Sequence, residues 1–445
     1  MILVYAPQAS MRIEYTAGLL LGGLLGSDWS LTAETEEYLN FKGPRINYSK
    51  QPLSEDEVHI VAHGFLNEQG IKEFFPGMNR SNDLPLLFPS SGPLGFDPFS
   101  ASFYLVSRYE EYLPHTKDIH GRFEATESYA HKNNFLQRPV VNHYAILLGD
   151  LLQERFPGYR YALPGFTYIP TYDIDIAYAY RGRGIVRTLF GGLRSLFRLE
   201  PDAIRQRILV LTGKQDDPFD TYDEMIGLYK QYGIKAFCFV LCGDYGPYDK
   251  NLPVYSGVFS SLVKKLADYA NVGLHPSYAS HGDPRMLARE VVRLAGIIQQ
   301  DVRFSRQHYL RLSLPHTYRR LIELNITHDF SMGYASQPGF RAGICSPFRF
   351  YDLETESITP LTIVPFALMD GSFRDYLKMD PSDSLPLISH LIEEVDRVQG
   401  TFVSLWHNHS LGTGYGQQGW KNVYEQMFAL AASKHKIDYD PFPDA

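Results

Sequence analysis

The sequence predicts an α/β protein: an irregular (β/α)7-type barrel over residues 165–445, preceded by a smaller α+β domain over 1–160. Three observations predict it. At 445 residues the chain exceeds one ordinary domain. From about residue 165, runs rich in β-branched and aromatic residues alternate with amphipathic stretches, the order of parallel strands joined by right-handed crossovers. Seven or eight such units in about 280 residues suit a barrel better than an open sheet.

Residues 1–160 lack that alternation. Strands are expected at 2–5 and 58–62 and a helix at 12–25. In 95–114, Asp97 can cap a helix that opens at Pro98 and turns Phe99, Phe103, Leu105, Val106 and Tyr109 inward. Arg108, Glu110 and Glu111 read as an ion-pairing face or an interface, and the usual behaviour of surface charge favours the face. A further helix is expected at 140–155, and the Pro- and Gly-rich stretch 156–165 marks the boundary. Nothing in this part has a catalytic look.

Beyond it, strands are expected at 165–172, 235–241, 272–275, 308–312, 327–330, 343–347, 361–365 and 401–407. Helices are expected at 221–232, 257–269, 284–298, 316–324, 386–398 and 419–432. A basic insertion at about 177–215 interrupts the pattern, with Arg181, Arg183, Arg187, Arg194, Arg198, Arg205 and Arg207 against Glu200 and Asp202. Such a segment can lie on an anionic membrane surface or meet a phosphate-bearing substrate; more often it is a packed helix with a solvated basic face.

Composition narrows the function. With 44% hydrophobic and 21% charged residues the chain reads as globular, and a net charge of −8 argues against general nucleic-acid binding. Carbohydrate or small-molecule work is compatible, and 31 tyrosines would suit stacking on sugars. Cys238, Cys242 and Cys345 read as buried thiols, and the N-terminus has no signal-peptide pattern. A cytoplasmic location is expected, with the inner membrane surface as the alternative.

The chemistry centres on YIPTYDID, residues 168–175. Asp173 and Asp175 end an apolar run at alternate positions, and on a strand they share a face. One acid could hold a metal while its neighbour acts as a base. The plain alternative is that both cap the turn after the strand. His275 in VGLHPSYAS and His407 and His409 in FVSLWHNHS also close apolar runs. Two carboxylates and two histidine sites at separate strand ends point to a shared metal-assisted site.

TYDID, LHPSYAS, GFRAG and SLWHNHS, in that order, resemble the motifs of the polysaccharide deacetylases, the carbohydrate esterases that act on chitin and peptidoglycan. With SRQHYLR and FDPFSASFYLVSRYEEY, the layout is similar to a bacterial branch with an uncharacterised N-terminal domain. The resemblance implies a distorted (β/α)7 barrel and metal-dependent removal of an acetyl group from an amino sugar or polysaccharide. It implies Asp173 as general base, Asp175 and His275 as ligands of a divalent metal, zinc first, His407 as general acid and Arg341 as the arginine that orients the base. One position departs: four residues after His275, where the family has its second metal histidine, stands Ala279, and His281 lies two residues too late. His308 is the preferred substitute, with a packed histidine at a strand start as its plain alternative, and His409 is second. A site without a third ligand would instead make the chain a degenerate barrel that binds glycans or a partner, and an amidohydrolase of non-carbohydrate substrates is a third reading.

Overall fold

The structure, a computed structural model, describes residues 1–184, 201–412 and 417–436. The centre of the basic insertion lies outside them; at its edge Arg181 pairs with Asp220 at 2.8 Å and covers the Tyr178 ring. Among the described residues no helix is long and apolar enough to cross a membrane.

The first part holds a four-stranded parallel sheet, β1 (Ile2–Tyr5), β2 (Trp29–Thr32), β3 (Arg45–Ser49) and β4 (Val58–Val61), in the order β2-β1-β3-β4. A hairpin of β5 (Met78–Ser81) and β6 (Leu84–Leu87) follows, its turn made by Asn82 and Asp83 at positive φ. The expected helix at 12–25 is α-helical over Met11–Ala17 and π-helical over Gly18–Leu24. Asp97 caps the Pro98–Val106 helix by accepting from the Phe99 and Ser100 N–H groups. The helix Val140–Arg155 has its expected bounds.

The second part is a nine-stranded, mostly parallel sheet: β7 (Thr167–Ile174), β8 (Phe237–Leu241), β9 (Asn271–His275), β10 (Phe304–Ser305), β11 (His328–Asp329), β12 (Phe348–Asp352), β13 (Ser357–Ile363), β14 (Leu368–Met369) and β15 (Thr401–His407). Their order is β12-β13-β11-β10-β9-β8-β7-β15-β14, with β12 and β13 antiparallel. Among the described residues no ladder joins β14 to β12. The chain after β13 spans part of that gap, Phe366 N–H donating to the Met332 carbonyl and Ala367 N–H to the Val403 carbonyl. Pro170 is compatible with central β7 because the ladder to β8 begins only at Thr171.

Alternation along the strands builds the interior and the site together. Ile169 of β7, Phe237 and Phe239 of β8, and Val403 and Leu405 of β15 join Phe304, Phe330, Val364 and Phe366 in one buried cluster. Further along the same faces, four residues after Ile169 and Val403, come Asp173 and His407, paired in register across β7 and β15. Gly273 of β9 keeps this interior open: a Cβ there would stand 2.7 Å from the Phe239 ring.

Two expected strands are absent. Residues 308–310 form a tight turn in which Tyr309 and Leu310 have φ of 58° and 53°, so β10 ends at Ser305. The run 343–347 packs on the first part, Asn142 accepting from Cys345 N–H and donating to Ser346 Oγ; pairing resumes at Phe348. All three cysteines are buried and unpaired by disulfide.

The main apolar core runs through both parts without a break. At their junction Arg108 bonds Glu110 and Glu111 at 2.8 and 2.7 Å, and Arg341 of the second part grips Glu111 at 2.9 and 2.6 Å. All four are buried, so the expected surface ion-pairing face is an internal one. Burial pushes the Glu111 carboxyl up, but Arg341 and then Arg108 outweigh it and bring it from 4.5 to about 2. A depressed folded value stabilises above the unfolded pKa, and the contribution is lost as pH falls through about 2. Glu111→Gln is expected to cost about 3–5 kcal/mol near neutral pH, since it leaves the buried Arg341 guanidinium without its anion. Urea unfolding would show it, with the gap to wild type narrowing in acid; an equal gap at all pH values would contradict the ion-pair account.

Candidate active site

The C-terminal ends of β7, β9 and β15, with the turn after β10, surround a cavity of about 280 Å³ lined by Asp173, Asp175, His275, His308, His407 and His409. Asn251 ties the end of β7 to that of β8, its amide donating to the carbonyls of Ile174 and Leu241. Asp175, His275 and His308 each offer a ligand atom, all within 4.8 Å of one another.

The donor set fits a metal ion. His275 Nδ1 faces the Arg306 carbonyl at 2.5 Å and His308 Nδ1 faces Asp249 Oδ1 at 2.9 Å. Both acceptors fix the proton on Nδ1 and leave the Nε2 lone pairs free, the outer-shell arrangement typical of metal-ligating histidines. These Nε2 atoms lie 3.1 and 3.6 Å from Asp175 Oδ1. That oxygen is nevertheless a buried acceptor with no hydrogen-bond partner of acceptable geometry. An unpartnered buried carboxylate oxygen facing two imidazole lone pairs is what a cation site requires. Burial would raise Asp175, but His308, His275 and His407 hold it well below the usual carboxylate range. Burial would lower His308, and the Asp175 and Asp249 carboxylates raise it to about 9 without a cation, so a bound ion would take the place of the Nε2 proton.

Asp173 stands beside this group, its Oδ2 3.7 Å from His275 Nε2. Arg306 Nη1 donates to Asp173 Oδ1 at 2.9 Å and to Thr171 Oγ1 at 2.7 Å. The guanidinium is fully buried and lies 4.5 Å from the centre of the Phe239 ring. Arg306 therefore occupies the place expected of Arg341. The GFRAG segment turns away from the cavity, Phe340 N–H donating to the Leu136 carbonyl, and Arg341 pairs with Glu111 instead.

Across the cavity His407 Nδ1 pairs with Asp370 Oδ1 at 2.7 Å, and its Nε2 is 3.6 Å from Asp175 Oδ2. Burial would lower the imidazole, but Asp370, then Asp175 and Asp173, raise it to about 10. It is held protonated over the neutral range. Asp370→Asn removes the largest raising influence, so the His407 imidazole is expected to titrate at lower pH by NMR; an unmoved titration would exclude this role for Asp370. His409 lines the cavity but lies outside the ligand group, and burial, then His407, lowers it to about 4.

The structure thus brings Asp173, Asp175, His275, His308 and His407 together and sends Arg341 elsewhere. Ala279 contributes its backbone, its N–H donating with that of Tyr278 to Asp249, the carboxylate that orients His308. Arg306, Asp249 and Asp370 are the site residues that sequence reasoning missed. Arg306 carried a signal, since it directly follows a buried strand in SRQHYLR; Asp370 directly follows the two-residue β14, which is too short to read from sequence, and Asp249 lies in a loop with no pattern around it.

Known proteins compare as follows. A family of unknown function, DUF7033, matches residues 2–157. No curated protein matches the chain. Eleven solved chains resemble it in structure. A Mycobacterium smegmatis protein assigned as a polysaccharide deacetylase aligns with TM-score 0.39 and 12% identity, over 62% of this chain and 87% of that one. The allantoinase Puue aligns with TM-score 0.37 and 10% identity, over 60% and 84%. The polysaccharide deacetylase Bc1974 from Bacillus cereus aligns with TM-score 0.29 and 13% identity, over 60% and 87%. At this overlap the chemistry is left to be read from the site itself.

Proposed function

We propose that the protein is a metal-dependent, deacetylase-like hydrolase that removes an acyl group from an amino sugar or a related amide. The observation that carries the reading is the convergence of Asp175, His275 and His308 with Asp173 and His407 in one cavity. Asp175, His275 and His308 would hold a divalent cation, zinc first by its preference for imidazole and carboxylate ligands. When bound, such an ion supplies Lewis-acid polarisation of a carbonyl and a lowered pKa for water.

The chain's own groups supply the rest. Asp173, oriented by Arg306, is the base that takes a proton from attacking water. His407, kept charged by Asp370, gives a proton to the departing amine. Tyr248, Tyr309 and Tyr376 line the cavity and would give a sugar ring aromatic faces to rest on. We also propose that the curled sheet is an irregular barrel whose interior cluster forms the floor of the site. The full ligand group weighs against the degenerate-barrel reading, because a retired site has no need to orient three imidazoles.

Metal analysis of dialysed protein tests the ligands. His308→Ala is expected to lower zinc occupancy as far as His275→Ala does; unchanged occupancy would remove His308 from the site. Release of acetate from N-acetylated glucosamine oligomers by zinc-loaded protein tests the reaction. No release from these or from simple acetamides would refute it.

A further inference from the structure

The turn that carries His308 is gripped by the first part of the chain. Loop 117–123 is closed by a bridge between Lys117 and Phe123, with Gly121 at φ 77°. Asp118 organises it, accepting from the backbone N–H groups of His120 and Arg122 and pairing with Arg122 Nε at 2.6 Å. The rest of the Arg122 guanidinium reaches out of the loop. Nη1 donates to the Tyr309 carbonyl at 2.9 Å and Nη2 to the Tyr376 hydroxyl at 3.0 Å. A reciprocal bond runs from Arg311 Nε to the His120 carbonyl at 2.9 Å. The His120 and Tyr309 rings are 4.8 Å apart.

These contacts fall on strained backbone. Tyr309 and Leu310, directly after His308, both lie in the left-handed region, which side chains with a Cβ rarely adopt and which persists only where surroundings enforce it. Asp249 sets the His308 ring, and within the turn the Leu310 N–H donates to the Gln307 carbonyl at 2.8 Å, which leaves the Tyr309 carbonyl of the same peptide to be held from outside. Arg122 holds it.

We infer that Arg122 is a positioning residue of the metal site: by holding the Tyr309 carbonyl it keeps the strained turn, and so the His308 ligand, in place. The inference rests on the reading of Asp175, His275 and His308 as ligands. It gives the DUF7033-matching part a share in the centre, although that part supplies no ligand.

The test is the zinc dissociation constant of the full chain, measured by competition with a chromophoric chelator, with thermal unfolding of the metal-free protein followed in parallel. Arg122→Ala is expected to weaken zinc binding about tenfold, at the low end of the range for lost outer-shell support. Arg122→Lys, which can still reach the Tyr309 carbonyl, should recover part of the loss. If Arg122→Ala does not fold, Arg122→Gln carries the same expectation, being too short to span the contact. A merely structural role would lower the unfolding temperature and leave the affinity of the folded protein intact. Wild-type affinity in the folded Ala or Gln variant overturns the inference alone. A wild-type chain that binds no zinc overturns the metal reading and this inference with it.

Discussion

Asp175→Ala should leave the protein folded and unable to hold a divalent metal. The variant removes one of three donors and the only anionic one, leaving two neutral imidazoles, too few for a tight zinc site. The loss of affinity should exceed the roughly 10–100-fold that outer-shell changes cause, because a ligand and a charge disappear together. Folding should survive, since Asp175 Oδ1 makes no hydrogen bond whose loss would strand a donor. Elemental analysis after dialysis, with circular dichroism as the folding control, gives the answer. Stoichiometric metal in Asp175→Ala would show that the ion, if any, sits elsewhere.

Asp173→Asn should separate chemistry from metal binding. Asparagine is close to isosteric and can still accept from Arg306, but it cannot take a proton. Turnover is expected to fall about 10²–10⁴-fold, the range for a lost general base, with zinc content as in wild type. A second consequence follows from Arg306, which is fully buried and has this carboxylate as its anionic partner. Neutralising that partner should cost stability, up to about 3–5 kcal/mol for a broken buried pair, so turnover must be measured well below the unfolding temperature. Activity within tenfold of wild type would eliminate Asp173 as base.

The strand-end residues were legible because alternation is local. The register that puts Ile169 and Val403 into the interior carries Asp173 and His407 to the cavity, so apolar runs ending in DID and WHNH located both. His275 was legible for the same reason at the end of β9. The long helices were equally plain, with Gly257–Tyr269 and Pro284–Ile298 at their expected bounds. What stayed hidden depends on tertiary contact. Whether Arg306 or Arg341 faces Asp173 is decided by Glu111, some 230 residues away from Arg341, and a motif match cannot see that competitor. Asp249 acts through one hydrogen bond to the His308 ring and Asp370 through two to His407, and an acid with no motif around it looks like any other. The two misplaced strands were short runs buried by tertiary contact rather than by a sheet, Leu310 in the interior cluster and 343–347 against the first part.

The Glu111–Arg341 pair has an evolutionary consequence. A gene fragment encoding only the sheet with the candidate site would inherit a buried guanidinium whose counter-charge is encoded in the other half, together with the apolar face that half covers. Fusion to a different leading segment would fail unless the newcomer supplied an acid at the same spot. The two halves are therefore expected to be inherited as one unit, and recombination between them to be selected against even where the reading frame is preserved.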